Sequence, residues 1–358
     1  MKVIVAMSGG VDSSVAAALL KEEGYQVIGV TMKIWAGGKL PQGGTHPACY
    51  GPEEEQDIED ARKVAQRLGI PFYALDLRQE YRAKVLDYFC RGYLSGRTPN
   101  PCIRCNRLIK FDALLKKAQA SGLDFDYFAT GHYARVEYDE SKHRYILKKA
   151  KDQSKDQSYF LSSLSQEQLA HSLFPLGTYT KEEVRRLAQA LGLPTAHKPE
   201  SQDFITGGYF PLIEAAKSGP ILDRQGNILG KHRGIPFYTI GQRHGLGISA
   251  KEPLYVTAID YERNAILVGT KEEIYGEELI ASELNWIAIE RLEGPIEVRA
   301  RIRYLHREAE AVVTPWDKDK AWVKFKQPQM AITPGQAVVF YIEDMVVGGG
   351  TIEGMKKD

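Results

Sequence analysis

Cysteine is scarce in this chain. Four occur in 358 residues and none after Cys105, too few for a disulfide framework. A long hydrophobic run is also missing. Nothing approaches the roughly 20 consecutive apolar residues that cross a bilayer, so no membrane span is expected. The N-terminus, MKVIVAMSGG, passes from a short apolar stretch straight into glycine, without the longer apolar core and cleavage site of a signal peptide. A cytoplasmic location is the expectation, and thiols there stay reduced unless function oxidises them. Excess charge of one sign is absent too. Forty-seven basic residues oppose 46 acidic ones, net +1, which excludes a uniformly basic nucleic-acid binder and leaves local basic faces open. Internal repeats and low-complexity tracts are lacking. The balance of 43% hydrophobic and 26% charged residues suits a folded globular protein. Its length exceeds what one compact core usually holds, so two or three domains are expected.

The first half alternates strand and helix signals. Residues 2–7 (KVIVAM) form an apolar run of the kind buried in a parallel sheet. An alanine- and leucine-rich helix follows from Ser14 to Glu23, then a strand, YQVIGVTM. DIEDARKVAQRLGI has helical periodicity with Gly69 as its stop, and PFYALDL is the next strand. NRLIKFDALLKKAQASG predicts an amphipathic helix, DYFATGH a strand, and ARVEYDESKHRYILKKA a hairpin leaving the sheet. Two capping boxes, Ser165 with Gln168 and Thr180 with Glu183, start further helices. This order predicts an α/β doubly wound parallel sheet with ligands at the carboxyl ends of its strands. After about Pro199 helical periodicity gives way to short strands separated by turn signals. The expected division is a parallel-sheet domain over residues 1–206, a small central β domain over 207–276 and a barrel-like β domain over 277–358.

AMSGGVDSS, residues 6 to 14, separates the first strand from the first helix. Ser8, Gly9 and Gly10 lack bulk, so backbone N–H groups can close around an anion beside the positive end of a helix. Ser13 and Ser14 add hydroxyls, and Asp12 is placed to help hold Mg²⁺ or to cap the helix. The Gly-Lys-Ser/Thr ending of a Walker A loop and the Gly-x-Gly-x-x-Gly of a dinucleotide loop are both absent. A bare pair of glycines would be an ordinary strand–helix turn. The complete string Ser-Gly-Gly-x-Asp-Ser resembles the PP-loop of ATP pyrophosphatases, which hold the β,γ-pyrophosphate of ATP and release it while adenylating a substrate oxygen.

NPCIRCNR, residues 100 to 107, carries half of the cysteines. Cys-x-x-Cys by itself suits a metal clip, a redox pair or a sulfur-handling nucleophile with a helper. A zinc site usually needs four ligands, and no second Cys-x-x-Cys exists. The strings TPNPCIRCNRLIKF, ATGHYARV, KDQSYFL, FPLG, KPESQDF, YTIGQRHGLGI and TPGQAVVFY follow the loop in that order. Together they closely resemble the tRNA-specific 2-thiouridylase family, along essentially the whole chain. The resemblance implies a tRNA-uridine 2-sulfurtransferase that puts sulfur on C2 of the wobble uridine 34. Adenylation would turn a poor leaving oxygen into part of AMP, and a persulfide sulfur would then attack C2.

Carried over residue by residue, the resemblance makes Cys105 catalytic and places Asn100, Pro101 and Cys102 at the target base. It implies that Ala6, Met7, Ser8, Gly9, Gly10, Val11, Asp12 and Ser13 bind ATP, that Met32 does so through backbone groups near adenine, and that Gly131 closes the nucleotide site. Lys155, Asp156, Gln157, Arg303 and Tyr304 match tRNA-contacting positions. ATP and Mg²⁺ are the implied cofactors. tRNA and an upstream sulfur-donor protein, a cysteine desulfurase or sulfur relay protein, are the implied partners. Arg104, Arg107 and a helix N-terminus beside the cysteines are expected to favour thiolate.

One departure stands out. Many family members have a second cysteine shortly after ESQD. Here the string is ESQDFIT, with Phe204, Ile205 and Thr206, and Ile205 occupies the cysteine's place. Cys102 stands where the family often has Asp. Two readings follow: Cys102 and Cys105 act as the pair, or Cys49, Cys102 and Cys105 ligate a [4Fe-4S] cluster. The dithiol is preferred because spacing alone supports it. Cys90 reads as a small buried apolar residue, and His132 is given no chemical role.

VRARIRY predicts a strand with Arg299, Arg301 and Arg303 on one face and Val298, Ala300 and Ile302 on the other. His306, Arg307, Lys231, His232, Arg233, Arg243 and His244 extend the charge. An isolated basic strand is usually a solvated face; the resemblance turns the expectation toward tRNA. The competing readings are a PP-loop synthetase adenylating a small metabolite and a non-catalytic RNA-binding protein with a vestigial loop.

Overall fold

A computed structural model describes residues 1–37, 48–200, 203–205 and 216–356. Ser201, Gln202 and Thr206 of the ESQD region and the expected start of the central domain lie outside the described residues. The chain divides into two compact units, Met1–Leu86 with Pro101–Pro211 and Asp344–Val346, and Asp87–Asn100 with Leu212–Glu343 and Val347–Asp358.

The first unit opens with β1 (Lys2–Ala6), α1 (Val11–Glu22), β2 (Gln26–Lys33), β3 (Ala48–Tyr50), α2 (Glu54–Leu68), β4 (Phe72–Asp76) and the single turn α3 (Arg78–Tyr81). α4 (Asp87–Leu94) belongs to the second unit. The first resumes with α5 (Pro101–Cys105), α6 (Leu114–Ala120), β5 (Tyr127–Thr130), the hairpin β6 (Ala134–Asp139) and β7 (Arg144–Lys149), α7 (Ser158–Leu161), α8 (Gln166–Ala170), β8 (Ser172–Leu173), α9 (Lys181–Ala190) and β9 (Asp203–Ile205).

Its sheet has the order β4-β2-β1-β5-β8, with every pairing parallel. Val3, Ile4 and Val5 of β1 have no exposed surface, as expected of a central strand covered on both faces. Burying each such side chain favours folding by roughly 1.5–3 kcal/mol over leaving it in water. From β1 the chain builds outward through β2 and β4, then returns to the other side of β1 at β5. That reversal opens a crevice beyond the carboxyl ends of β1 and β5, the usual ligand position in such sheets. α2 ends as expected at Gly69, whose φ of 62° is the left-handed conformation that suits glycine at a helix end. Both capping boxes form.

The helix expected over 106–122 begins earlier and is not uniform. Pro101 starts it, a position where proline's missing N–H costs nothing. The backbone then loosens into π-type turns over Asn106–Ala113 before α6. A further π-type segment, Arg82–Leu86, follows α3. Such segments recur near functional sites.

In the second unit, β10 (Gly219–Leu222), β11 (Ile228–His232), β12 (Tyr255–Asp260) and β13 (Ala265–Gly269) form a small sheet around Ile221, Val256 and Ile266. β14 (Tyr275–Trp286), β15 (Ile296–Arg301), β16 (Ala309–Asp317), β17 (Lys320–Met330), β18 (Ala337–Ile342) and β19 (Met345–Met355) follow. They join in the order β14-β17-β16-β15-β18-β19 and close through β14–β19 pairing into a six-stranded barrel. Val298, Ala300, Val313, Val323, Phe340 and Ile352 fill it.

Candidate active site

The glycine loop occupies the crevice. Met7 is anchored by its N–H donating to the Val30 carbonyl at 2.7 Å. Gly9 has φ +71°, and a Cβ there would lie 2.2 Å from the Asp57 carbonyl oxygen. Conformation and space both require glycine. Ser8 N–H donates to Ser13 Oγ at 3.1 Å, while Ser13 Oγ and Ser14 Oγ donate to the Gly10 carbonyl at 3.2 and 2.8 Å. Gly131 leaves β5 against this turn: a Cβ there would be 2.6 Å from Ser13 N. Ala6 ends β1, Val11 is buried at the start of α1, and Met32 lies near the carboxyl end of β2. The residues expected to hold the nucleotide therefore converge on one strand end. A tight glycine turn at a helix N-terminus fits a phosphate chain.

Asp12 behaves differently from expectation. It does not cap α1, whose N-cap is Gly10 without a side-chain bond. Its two oxygens accept from Lys181 Nζ at 2.7 and 2.8 Å, and Tyr133 Oη donates to Oδ1 at 2.9 Å. Lys181, 9% exposed, also pairs with Glu200 at 3.0 Å, and Glu200 with Lys155 at 2.8 Å. A metal at Asp12 would share the carboxylate with an ammonium already in place. Nothing in the local sequence marked Lys181 beyond its position as first residue of a capped helix. Tyr133 and Lys181 are the residues here that sequence reasoning missed.

The thiol pair corrects a second expectation. Cys105 is buried and Cys102 partly so. Burial pushes Cys102 up to about 12, with the Cys49 and Cys105 thiols adding to it. Burial likewise pushes Cys105 up to about 11. Desolvation disfavours the thiolate and here outweighs the helix end. Arg104 Nε donates to the Lys84 carbonyl at 2.7 Å. The cation that favours thiolate at Cys105 is Lys110. Lys110 also acts on His132, which burial first and this charge second hold well below the usual histidine range. His132 Nδ1 lies 2.7 Å from Thr130 Oγ1. Lys110 thus stands within electrostatic reach of Cys105 and of the residue beside Gly131.

Cys49 is exposed, on the short strand β3. Its neighbour Tyr50 stacks on Tyr81 with ring centres 5.5 Å apart. Tyr81, 1% exposed, is pushed far up by burial and then by Cys105, Cys49 and Cys102. Among the described residues no group of three or more His, Cys, Asp or Glu side chains is arranged to hold a metal ion. The cluster alternative therefore finds no preformed ligand set. Cys90 is partly buried, and burial pushes its thiol up.

The positions matched to tRNA contact differ in availability. Asp156 is buried (2% exposed) and accepts from the Ala150 and Ser158 N–H groups and from Ser158 Oγ. Gln157 exchanges hydrogen bonds with the Tyr133 backbone at 2.8 and 2.9 Å. Pro101 opens α5 in the first unit; Asn100, Arg303 and Tyr304 belong to the second. Val298, Ala300 and Ile302 point inward as expected, but the arginine row opposite is no open cationic face. Arg301 pairs with Glu308 at 2.8 Å, and Arg303 donates to the Ala331 and Ile240 carbonyls and to Thr333 Oγ1. His232 is buried, with Nε2 2.9 Å from the Asn264 carbonyl, and adds nothing to a charged surface. Among the described residues no helix is long and apolar enough to cross a membrane.

A family model described as a tRNA methyl transferase HUP domain matches residues 1–206. A tRNA methyl transferase PRC-barrel model matches 212–270 and an aminomethyltransferase beta-barrel model 276–352. The tRNA-specific 2-thiouridylase MnmA of Moorella thermoacetica is 54% identical, over 98% of this chain and 99% of its own. MnmA 1 of Caldanaerobacter subterraneus subsp. tengcongensis is 53% identical over 98% of each chain. MnmA of Desulforamulus reducens is 51% identical over 98% of this chain and 97% of its own. With identity of this depth along nearly the whole length, the chain belongs to the tRNA-specific 2-thiouridylase family.

Proposed function

We propose that this protein installs sulfur at C2 of uridine 34 in tRNA at the expense of ATP, with residues 1–206 doing the chemistry and the β domains over 207–276 and 277–358 helping to seat the RNA. The observation that carries this reading is the glycine turn between β1 and α1, where Gly9 and Gly131 leave no room for a Cβ, in a chain that belongs to the 2-thiouridylase family along nearly its whole length. Residues 6–13 hold the phosphates, Met32 borders the adenine, and Mg²⁺, when bound, screens phosphate charge. The uridine O2 attacks the α-phosphorus and pyrophosphate leaves.

An upstream donor supplies sulfane sulfur, which reaches Cys105 as a persulfide. Its outer sulfur attacks C2, and AMP departs with the former carbonyl oxygen. The Cys102 thiolate then attacks Cys105 Sγ. The bond to the transferred sulfur breaks, 2-thiouridine is released and a Cys102–Cys105 disulfide remains for a thiol reductant. Oxidation of the two thiols supplies the two electrons that turn sulfane sulfur into a thiocarbonyl. Cys102, Asn100 and Pro101 border the flipped base. Lys155, Gln157, Arg303 and Tyr304 are the proposed tRNA contacts; Asp156, buried in its own turn, orders its neighbours. A cytoplasmic setting suits the reduced thiols.

The test is incubation with ATP, Mg²⁺, tRNA and a persulfide donor, with AMP and 2-thiouridine quantified by mass spectrometry. Both products are expected in equal amounts. AMP formed with a small metabolite but not with tRNA would replace this reading by a synthetase.

A further inference from the structure

The string TPGQAVVFY, one of those behind the family resemblance, has no part in the chemistry above. In the folded chain its first four residues, Thr333 to Gln336, lie in the turn between β17 and β18. Residues Asp87–Asn100 belong to the same unit as this turn, although the cysteine helix begins at the very next residue, Pro101. The stretch that delivers Asn100, a position matched to the target base, therefore lies with the β domains.

The turn grips the backbone of Thr98. Thr98 N–H donates to the Pro334 carbonyl at 2.8 Å, and Gln336 Nε2 donates to the Thr98 carbonyl at 2.8 Å. Gly335 has φ +90°, and a Cβ there would lie 3.0 Å from both N and C of Thr98. Only glycine permits that approach. Arg97 adds a second hold, on β19: Nη1 pairs with Glu353 Oε2 at 3.0 Å, and Nη2 donates to the Ile352 carbonyl at 3.3 Å. The other oxygen of Glu353 accepts from Ser282 Oγ. The turn is braced in the same way. Gly335 N–H donates to the Ile352 carbonyl and Ile352 N–H to the Gln336 carbonyl, both at 2.8 Å. Arg303 donates to the Ala331 carbonyl and to Thr333 Oγ1. Thr98 and Ile352 are buried, so these bonds are shielded from water and correspondingly strong. From Thr98 the sequence runs Thr-Pro-Asn-Pro. Each proline fixes its own φ and restricts the residue before it, so little backbone freedom separates the gripped Thr98 from Asn100.

We propose that the C-terminal barrel is a positioning device for the reaction: its Thr333–Gln336 turn and Glu353 clasp Arg97 and Thr98, and so hold Asn100 in place for the target base. This rests on the 2-thiouridylase reading above. Affinity for RNA comes mainly from its phosphates, whereas the orientation of one base decides whether its oxygen is in line for attack. Loosening the clasp should therefore slow adenylation and spare RNA affinity. Arg97 and Glu353 are each 36% exposed, so their pair contributes little to folding stability. They are the residues to alter.

The experiment measures single-turnover pyrophosphate release from the full chain with ATP, Mg²⁺ and an unmodified tRNA transcript at increasing concentrations. Arg97→Met and Glu353→Gln are each expected to lower the maximal rate by between about tenfold and about a hundredfold. The half-saturating tRNA concentration should stay within about twofold of wild type. Arg97→Lys, which keeps a cation for Glu353, should recover part of the rate. Glu310→Gln, on an exposed face of the same barrel, should change neither quantity. Persulfide loading of Cys105, whose thiol belongs to the first unit, should match wild type in every variant. Unchanged maximal rates in Arg97→Met and Glu353→Gln would overturn the proposal. So would a slower rate that saturating tRNA restores, since the barrel would then act by binding RNA alone. A rate loss accompanied by lost persulfide loading would assign the pair a purely structural role and equally overturn it. Absence of release from the wild type would instead sink the 2-thiouridylase reading, and the proposal with it.

Discussion

Between β1 and α1, eight consecutive residues, Met7 to Ser14, supply nearly every group of the phosphate-type loop, and its internal bonds span three to five positions. The thiols of Cys102 and Cys105 sit on α5, while the groups that act on them, Cys49 and Lys110, come from β3 and from the π-type segment behind α5. One site is local backbone geometry; the other is tertiary assembly. Their chemistry divides in the same way. The loop works through amide groups whose placement is set by glycine, whereas the thiols take their reactivity from burial, which no short string of residues encodes.

The sharpest way to separate the two is to disable them one at a time. Cys105→Ala should abolish 2-thiouridine in tRNA nucleosides from cells carrying it, while the purified variant still releases pyrophosphate from ATP and tRNA. If release also vanished, the two regions would not be chemically separable. Gly9→Ala attacks the other side. A Cβ 2.2 Å from the Asp57 carbonyl oxygen forces the turn to shift, and a displacement of about 1 Å at a reacting centre can cost about a hundredfold in rate. Pyrophosphate release should fall by about that factor, with Cys105 still able to load persulfide.

A smaller effect concerns the ion pair that ties loop to helix. Lys181→Met leaves the Asp12 carboxylate without its cation, at a cost of about 1–3 kcal/mol in unfolding free energy. Urea titration measures it, and Lys181→Arg should recover part of the loss.

The thiols themselves are tested by pH. With Cys105 held near about 11 and Cys102 near about 12, iodoacetamide should label them slowly at pH 8 and faster up to pH 11. An ordinary thiol levels off once it is above its pKa of about 8.5. A plateau near pH 9 would contradict burial as the controlling influence. The linkage has a definite sign. Both groups ionise more readily in the unfolded chain, so stability should decline as pH rises from about 9 toward 11. Lys110→Met should move the Cys105 labelling profile to still higher pH.

Smallest of all is the exposed Arg299 on β15. Its replacement by alanine should reduce the salt slope of tRNA binding by about one counterion and leave stability within about 0.5 kcal/mol. Arg303→Ala, by contrast, removes three hydrogen bonds within its own unit and should lower the midpoint of unfolding.

Much of the first unit is legible in the sequence because its signals are short-range. Apolar runs of strand length, Gly69 after an amphipathic stretch, and serine or threonine three residues before Gln168 or Glu183 each act through neighbouring backbone. The same holds for Val298, Ala300 and Ile302, whose inward direction follows from the alternation of a strand. Errors arose where a side chain's neighbours come from far along the chain. Asp12, one of whose two expected roles was to cap its own helix, does not cap it and meets a lysine 169 positions away. Arg104 was expected to favour thiolate, and instead turns to the Lys84 carbonyl. His232 was expected on a basic surface, and lies inside the small sheet. Ala48–Tyr50 carries no strand signal of its own, because three residues make a strand only with a partner, and that partner, β9, is about 150 residues away.

Residue order alone was enough to specify the glycine turn, the strand–helix alternation and the pairing of Cys102 with Cys105 on one helical turn, since each depends on steric and hydrogen-bonding rules acting over a few residues. Only the folded chain decided that Tyr50 pairs with the position held by Ile205, that Lys181 neutralises Asp12, and that burial disfavours the thiolates. Those outcomes depend on which distant surfaces exclude water from one another, and solvent exclusion is a property of the packed molecule.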